Sequence, residues 1–472
     1  MILTILLGIV GLGLMVFIHE LGHFVAAKIN GVGVEIFSLG WGPRLAGFTY
    51  GGTSYQISWF PVGGYCKMKG ELVPGIAGGR ADAAAASATA GESVPVADPE
   101  PPKGSFLAAA PWRRIVIAAF GPLFNLVFAL LIFATLWWFG FAVHSPDNRV
   151  VLATDYTLDS ISQPPPAAVA GLKTGDRIIA IDGAPVEKFQ DILETVSVAP
   201  GRRFLFTIQR TAEGTAQTLV LPITPELDKN TGAGRIGIYA WVDPVLGAVE
   251  PGGAAAIAGL HKGDTLLAAN SRPIRNNMDL YQELASKPEK VNLTYARAEE
   301  QTTVPLILMY DEKGAPRLGL SFASLVFRSP RLGLGGALGK SAGETWTTVT
   351  MTVKGIGLLF QGIKLRNAVA GPLRITYYIG SAATSGFQVG FGAGVVSFFR
   401  FLAFLSVVLF LMNLLPIPAM DGGQIVLFIV EIVRGRAVRS RLIWRIQLIG
   451  FSILIILSLM VTFSDVLFFM GR

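Results

Sequence analysis

Four long stretches without charged residues constrain the fold of this chain more than any other feature of its sequence. They cover residues 2–18, 115–143, 401–420 and 446–464. A helix needs about 20 apolar residues to cross a bilayer, and these stretches come close to that length or exceed it. Only 15% of the 472 residues are charged and the mean hydropathy is +0.53, whereas a soluble globular protein has about 25% charged residues. The sequence therefore predicts an α-helical polytopic membrane protein with four transmembrane helices.

Positively charged residues near the apolar stretches predict how the chain crosses the membrane. Eight Lys and Arg lie from residue 28 to residue 114 and five Arg lie from residue 434 to residue 445, whereas none precedes the first stretch. Lys and Arg are enriched in cytoplasmic loops, so both segments are expected in the cytoplasm and the long region 144–400 outside it. Because the net charge of +7 comes largely from these flanks, no nucleic acid partner is expected.

An internal repeat divides the long outer region into two small domains. Residues 167–186 and 255–274 are offset by 88 positions and share 9 of 20 residues, including the pattern Ala-Gly-Leu-x-x-Gly-Asp. A period of this length fits a small domain rather than a solenoid unit. The pattern and the β run after it resemble bacterial PDZ domains, so we expect two α+β PDZ-like domains at 144–230 and 231–325, inserted between the second and third spans.

Residues 31–70 are expected to form a β element between the first two spans. Large apolar residues there alternate with Ser54, Gln56 and Ser58, the period-two pattern of a strand, and Gly51-Gly52 marks a turn before it. The other expected segments are a first transmembrane helix at 1–30, a flexible Ala/Gly/Pro-rich insertion at 71–104, the second span at 105–143, a membrane-associated amphipathic region at 326–396, the third span at 397–433 and the fourth span at 441–468.

The motif that carries chemistry is His19-Glu20-Leu21-Gly22-His23. On a helix, two histidines four residues apart face the same side and can share one metal ion, and Glu20 beside them can accept a proton. Ionisable residues in an apolar span are costly unless they function. A hydrolytic zinc site takes a third protein ligand. Asp421, next to a proline-interrupted apolar stretch, is the main candidate, and a plain Asp-Gly-Gly turn is the alternative.

HExxH in a first span and NLLPIPAMDGG in a third resemble the site-2 protease family of intramembrane zinc metalloproteases. The tandem PDZ-like pair is similar to that of the family's regulator-of-sigma-E type. The resemblance implies a membrane-reentrant β element at residues 32–68 and a Zn²⁺ cofactor. The residues it assigns are the zinc ligands His19, His23 and Asp421, the catalytic Glu20, and Asn413 as a contact to the substrate backbone.

The same resemblance implies an enzyme of regulated intramembrane proteolysis in a bacterial inner membrane. Its substrates would be single-span membrane proteins, including an anti-sigma factor first trimmed at site 1 and remnant signal peptides, cut in contact with membrane lipid. The PDZ-like pair would be periplasmic, and the active site would lie towards the cytoplasmic side.

A substrate helix must unwind before it is cut, and its freed backbone groups then need new hydrogen-bond partners. An edge strand at residues 53–60, with Ser54, Gln56 and Ser58, is expected to supply them by strand addition. The alternative is a packed structural hairpin.

Other functions fit parts of the sequence. The PDZ-like pair either binds a peptide terminus or excludes substrates with bulky outer domains. A membrane-anchored PDZ adaptor, or a quality-control protein that acts without proteolysis, would not need intact His19, Glu20, His23 and Asp421. A zinc protease with glutamate as its third ligand and a transporter built from inverted repeats have less support. The sequence leaves the oligomeric state open.

Overall fold

A computed structural model describes residues 1–71, 102–156, 163–212, 214–229, 231–311, 314–358, 370–438 and 440–470. Most of the expected insertion at 71–104 lies outside the described residues. The helices are α1 (Ile2–Ile29), α2 (Pro111–Phe139), α3 (Pro166–Val169), α4 (Phe189–Ser197), α5 (Ala254–Ile257), α6 (Asn277–Leu284), α7 (Leu334–Leu358), α8 (Pro372–Val389), α9 (Phe391–Asn413), α10 (Asp421–Arg434) and α11 (Ser440–Phe469).

The strands are mostly short and, apart from the first pair, lie between residues 142 and 328. They are β1 (Val34–Tyr50), β2 (Thr53–Met68), β3 (Ala142–Ser145), β4 (Val150–Leu152), β5 (Arg177–Ile181), β6 (Ala184–Pro185), β7 (Phe204–Ala212), β8 (Thr215–Ile223), β9 (Glu226–Leu227), β10 (Gly234–Arg235), β11 (Ile238–Ala240), β12 (Leu246–Val249), β13 (Thr265–Ala269), β14 (Arg272–Pro273), β15 (Lys290–Arg297), β16 (Glu300–Ile307), β17 (Leu320–Phe322) and β18 (Leu325–Arg328).

Four helices in the described part of the chain are long and apolar enough to cross a membrane, which confirms the predicted number of spans. They are α1, α2, α9 and the Leu442–Phe469 part of α11. α1 is longer than the uncharged stretch that predicted it, because it continues without a break through His23 to Ile29. The HExxH motif therefore lies inside a candidate membrane helix.

The predicted third span is interrupted after Asn413. α9 ends there, and α10 begins at Asp421 after seven residues without helix. Pro416 and Pro418 lie in this gap, and proline in a helix interior removes a hydrogen bond and clashes with the preceding turn. Ala419 has a φ of +72°, which also takes the chain out of the helical region. Asp421 is thus the first residue of a new helix.

Glycines allow α1 to pack closely between two neighbours. A Cβ atom on Gly22 would lie 2.2 Å from the Phe120 carbonyl oxygen of α2, and one on Gly8 would lie 2.0 Å from the Thr376 carbonyl oxygen of α8. Both separations are shorter than any real Cβ contact. Small residues let helix backbones approach in this way inside a membrane.

β1 and β2 are longer than predicted and fold back on each other to form a small sheet of four short segments. Residues 54–57 of β2 pair with residues 36–39 of β1 on one side and with residues 46–49 on the other. Residues 64–67 pair with the remaining side of residues 36–39. The order across the sheet is therefore 64–67, 36–39, 54–57 and 46–49. Gly51-Gly52 forms the predicted turn, with both φ values positive.

The prediction that residues 53–60 form an edge strand is wrong, because residues 54–57 have strand partners on both sides. Among the described residues, 46–49 and 64–67 have a strand partner on one side only and form the edges of this sheet. Period-two alternation shows which side chains share a face, but it does not show which strands lie on either side.

The two halves of the region between α2 and α7 contain sheets of the same topology. We call residues 146–240 the first module and residues 245–324 the second module. Each contains a four-stranded sheet, in the order β6-β5-β7-β8 and β14-β13-β15-β16. β11 pairs with β4, and Ile236 lies in the core of the first module. The first module therefore extends past the expected boundary at residue 230.

The same ion pair occurs in both modules and accounts for the Gly-Asp end of the repeated pattern. Arg210 donates to both carboxylate oxygens of Asp176, at 2.8 and 2.7 Å. Arg297 does the same to Asp264, at 2.8 and 2.7 Å, and this pairing lowers the pKa of Asp264. The sequence comparison did not reveal the two arginines, because they lie on another strand and are offset by 87 positions (210 to 297) rather than 88.

A two-stranded ribbon joins the modules to the membrane helices. β3 follows α2 directly and pairs with β18, which precedes α7. α7 packs against α2, where the Ser341 hydroxyl donates to the Leu130 carbonyl oxygen at 2.6 Å. The chain thus leaves the membrane helices and returns to them through adjacent strands.

Candidate metal centre

Two helices far apart in the sequence bring three potential metal ligands together. α1 places His19 and His23 on one face, with their Nε2 atoms 3.2 Å apart. The carboxylate of Asp421, at the start of α10, lies 3.2 Å from His19 Nε2 and 3.5 Å from His23 Nε2. The three side chains are only 10–13% exposed. Within the described residues they form a group that could hold one ion.

The donor atoms fit a zinc ion. Two atoms bound to one zinc ion at 2.0–2.1 Å in tetrahedral geometry lie about 3.3–3.4 Å apart. The two Nε2 atoms here are 3.2 Å apart, and the Asp421 carboxylate lies 3.2 Å from His19 through Oδ2 and 3.5 Å from His23 through Oδ1. Two imidazoles and one carboxylate, with a fourth position left open, form a ligand set found in hydrolytic zinc sites. Two imidazole lone pairs this close would repel each other without a cation or a proton between them.

α2 contacts both histidine rings on the side away from Asp421. His23 Nδ1 donates to the Ile117 carbonyl oxygen at 2.9 Å, and His19 Nδ1 lies 3.2 Å from the side-chain amide of Asn125. Asn125 is fully buried, and its Oδ1 has no hydrogen-bond partner among the described residues. With the amide turned by 180°, Oδ1 accepts from His19 Nδ1–H, which leaves Nε2 free for a metal.

The sequence analysis did not assign a role to Asn125. In the sequence it is visible only as a polar residue in the uncharged stretch 115–143. Its contact with His19 in the structure is what indicates its role.

Glu20 lies next to the potential ligands and is held by the sheet. Its Oε2 accepts a hydrogen bond of 2.9 Å from the Cys66 backbone N–H, and a Cβ atom on Gly64 would lie 3.8 Å from its Cγ. Since the strand edge occupies Oε2, Oε1 is the oxygen left to accept a proton.

The residues expected to contact substrate lie in two different places. Asn413 is at the end of α9, and its Nδ2 lies 3.5 Å from His19 Nδ1. It therefore borders the site. Ser58 is buried and shares a hydrogen bond of 2.9 Å with Ser38. Among the described residues, no hydrogen bond links Ser54, Gln56 or Ser58 to the three potential ligands.

The fold and the site together define a polytopic membrane protein with a metal-dependent hydrolytic centre built by α1, α2 and α10. The chain belongs to peptidase family M50, whose sequence model matches residues 7–457. It has a site-2 protease function and is a zinc metalloprotease. This membership favours the protease over the adaptor and transporter alternatives.

Relatives of the chain match it along nearly its whole length. A Treponema pallidum protein whose name includes the words zinc metalloprotease is 37% identical over 99% of this chain and 99% of its own length. The regulator of sigma-E protease RseP of Salmonella typhimurium is 30% identical over 97% of both chains. A solved structure of the PDZ domain of an SdrC-like protein from Listeria monocytogenes is 20% identical, covers 18% of this chain and 90% of its own, and has a TM-score of 0.16.

Proposed function

We propose that this zinc metalloprotease hydrolyses peptide bonds within transmembrane segments of single-span membrane proteins. In this proposal His19, His23 and Asp421 hold the zinc ion, and Glu20 is the general base. The observation that carries it is that His19 and His23, on a helix long and apolar enough to span a membrane, meet the carboxylate of Asp421 at the start of α10, with Glu20 beside them.

The proposed chemistry assigns a separate task to each side chain. Zinc, when bound, would lower the pKa of a water molecule and polarise the scissile carbonyl. Glu20 accepts the proton of the attacking water at Oε1 and then passes it to the departing amide nitrogen. The Cys66 N–H keeps the carboxylate of Glu20 in a fixed orientation while this happens. Asn125 and the Ile117 carbonyl hold the two imidazoles with Nε2 directed at the ion.

The strand order of the sheet leads us to expect that the unwound substrate pairs with a strand edge other than residues 53–60. Both sides of residues 54–57 are occupied, so Ser54 and Gln56 cannot offer it a free strand edge, and the buried Ser58 hydroxyl is bonded to Ser38. The edge at residues 64–67 lies next to Glu20. Because the orientation of the backbone N–H and C=O groups in a strand repeats every two residues, those of Gly64 and Cys66 face the same side. We therefore assign substrate pairing to the backbone groups of residues 64–66 other than the Cys66 N–H, which is bonded to Glu20, with Asn413 facing the site from α9.

Exposed aromatic side chains support a membrane-reentrant position for the sheet. Phe48, Tyr50, Trp59 and Phe60 are 63–75% exposed, whereas Ser58 is 2% exposed. A sheet with its aromatic side chains outward and a serine inward suits lipid rather than water. The clusters of Lys and Arg at 28–114 and 434–445 support a cytoplasmic position for both segments. In this proposal the two modules lie in the periplasm of a bacterial inner-membrane protein.

We infer that the modules are PDZ-like and act as a size filter. The ribbon of β3 and β18 attaches both to the membrane helices at one place. The name of the Salmonella relative refers to regulation of sigma-E, so a membrane-bound anti-sigma factor, trimmed outside the membrane before it is cut, is the substrate class we propose.

A single substitution tests the catalytic assignment. Glu20→Gln leaves the three ligands in place, so zinc content stays at that of wild type while cleavage of a single-span substrate falls by about 10²–10⁴-fold, the usual loss without a general base. Glu35→Gln, the same change at a half-exposed residue paired with Lys67, is the matched control and should cleave normally. Near-normal cleavage by Glu20→Gln would remove this residue from the mechanism.

A further inference from the structure

A buried ion pair joins α2 to α10 at the end of α10 remote from the metal centre. The guanidinium of Arg114 contacts the carboxylate of Glu431, and the two residues are 4% and 3% exposed. Arg114 also donates from Nε to the Ala109 carbonyl oxygen at 3.1 Å, and its guanidinium lies 4.6 Å from the centre of the Phe428 ring. Glu431 accepts a further hydrogen bond of 2.9 Å from the Val438 N–H.

α10 is held by α2 on one face and is open on the other. Phe428 is buried, whereas a group of apolar side chains on the same helix is 44–81% exposed: Val426, Ile429, Ile432 and Val433. At the beginning of α10, Gly422 and Gly423 pack against the carbonyl groups of the preceding turn, where a Cβ atom would lie 2.2–2.3 Å from an oxygen. Contacts with α2 and with the turn before α10 therefore fix this helix.

The geometry of α10 links the ion pair to the third ligand. Glu431 is ten residues after Asp421, a rise of about 15 Å, and Phe428 is seven residues after it, which is about two turns and the same face. A rotation of α10 by about 20° would move a side chain at a radius of about 5 Å by nearly 2 Å. Metal–ligand distances tolerate a change of only about 0.2 Å. A helix packed on one face needs an additional anchor to meet that tolerance.

We propose that Arg114 and Glu431 are positioning residues for the metal centre, which fix α10 against α2 so that Asp421 stays in reach of both histidines. α2 also contacts His23 through the Ile117 carbonyl and His19 through Asn125. One helix thereby sets the relative position of all three ligands. This inference rests on the proposed zinc site, and it adds two residues that contact neither zinc nor substrate.

The test measures zinc affinity by chelator competition in the purified full-length protein. Glu431→Gln keeps the shape of the side chain but removes its charge, and we expect zinc to bind about 10–100-fold more weakly, as is usual when a supporting contact is lost. Asp465→Asn is the matched control. Asp465 is also buried and ion-paired, with Arg374, but it joins α11 to α8, so its substitution should leave the zinc affinity within about twofold of wild type.

Further measurements separate a positioning role from a loss of folding. The visible spectrum of the Co²⁺-substituted protein reports ligand geometry, and it should change in Glu431→Gln and stay unchanged in Asp465→Asn. If Glu431→Gln does not fold, Glu431→Asp, which keeps the charge on a shorter side chain, should give an intermediate affinity. Equal zinc affinity and equal spectra in wild type and the Glu431 variants would overturn the inference. Unchanged zinc binding by Asp421→Ala would instead overturn the proposed zinc site itself.

Discussion

Substitution of Gly22 by alanine should disturb the metal centre through the backbone of α2. The added Cβ atom would lie 2.2 Å from the Phe120 carbonyl oxygen and 3.0 Å from the Gly121 Cα. An ordinary contact needs at least 3.4 Å, so α1 has to move away from α2 by about 1.2 Å (3.4 less 2.2) at this position. The hydrogen bond from His23, the next residue, to the Ile117 carbonyl is 2.9 Å long and would stretch to about 4 Å, too long for a hydrogen bond.

Two effects follow from this displacement, and each has its own measurement. We expect zinc to bind about 10–100-fold more weakly, since a ligand loses the contact that orients it, and the metal-free protein to lose about 1–3 kcal/mol of stability through overpacking. Chelator competition and thermal unfolding measure the two quantities.

Gly339→Ala serves as the control for Gly22→Ala. This glycine lies in α7 with no atom within 4 Å of a built Cβ, and its substitution should stabilise the helix by about 0.5–1 kcal/mol. Wild-type zinc affinity in Gly22→Ala would refute the reasoning.

The remaining predictions concern another contact and the two modules. Asn125→Leu should weaken zinc binding by about 10–100-fold, because His19 loses the acceptor for its Nδ1–H; an unchanged affinity in chelator competition would exclude this role. Asp264→Asn should remove an acid-sensitive part of the stability of the second module. Arg297 lowers the pKa of Asp264 in the folded state, so the stabilisation is complete above the unfolded pKa of about 3.9 and is lost as the pH falls through the folded value. Hydrogen exchange of residues 264–297 should therefore accelerate below about pH 4 more in wild type than in the variant. Deletion of residues 145–325 should let the enzyme cleave substrates that keep their outer domains if the modules filter by size, and should reduce cleavage of every substrate if they recruit; comparison of full-length and pre-trimmed forms of one substrate distinguishes the two.

Much of the candidate site could be predicted from short-range patterns. The spacing of His19 and His23 specifies one helix face, because side chains four residues apart lie about one turn apart. The prolines after Asn413 predicted a broken span, and the chain indeed leaves the helix there. The repeated Gly-Asp pattern predicted two similar modules. Each of these inferences depends on residues close together in the sequence.

Predictions about neighbouring segments were less successful. Residues 54–57 have the alternation of a strand, but the sequence could not show that β1 would fold back and cover both of their sides. Arg210 and Arg297 were not identified as partners of the repeated aspartates, since they belong to a different strand of each sheet. Asn125 was visible only as a polar residue in an uncharged stretch, and nothing near Arg114 or Glu431 in the sequence indicates that they pair between α2 and α10.

The sequence by itself determined that four helices can cross a membrane, that two histidines and a glutamate share one of them, and that a repeated domain follows. Only the tertiary structure decided that Asp421, 398 positions after His23, meets both histidines at distances that fit zinc. The physical reason is that backbone periodicity fixes the direction of a side chain within its own element. Which elements then lie next to each other depends on the packing of glycines, buried ion pairs and strand edges that are separated in the sequence.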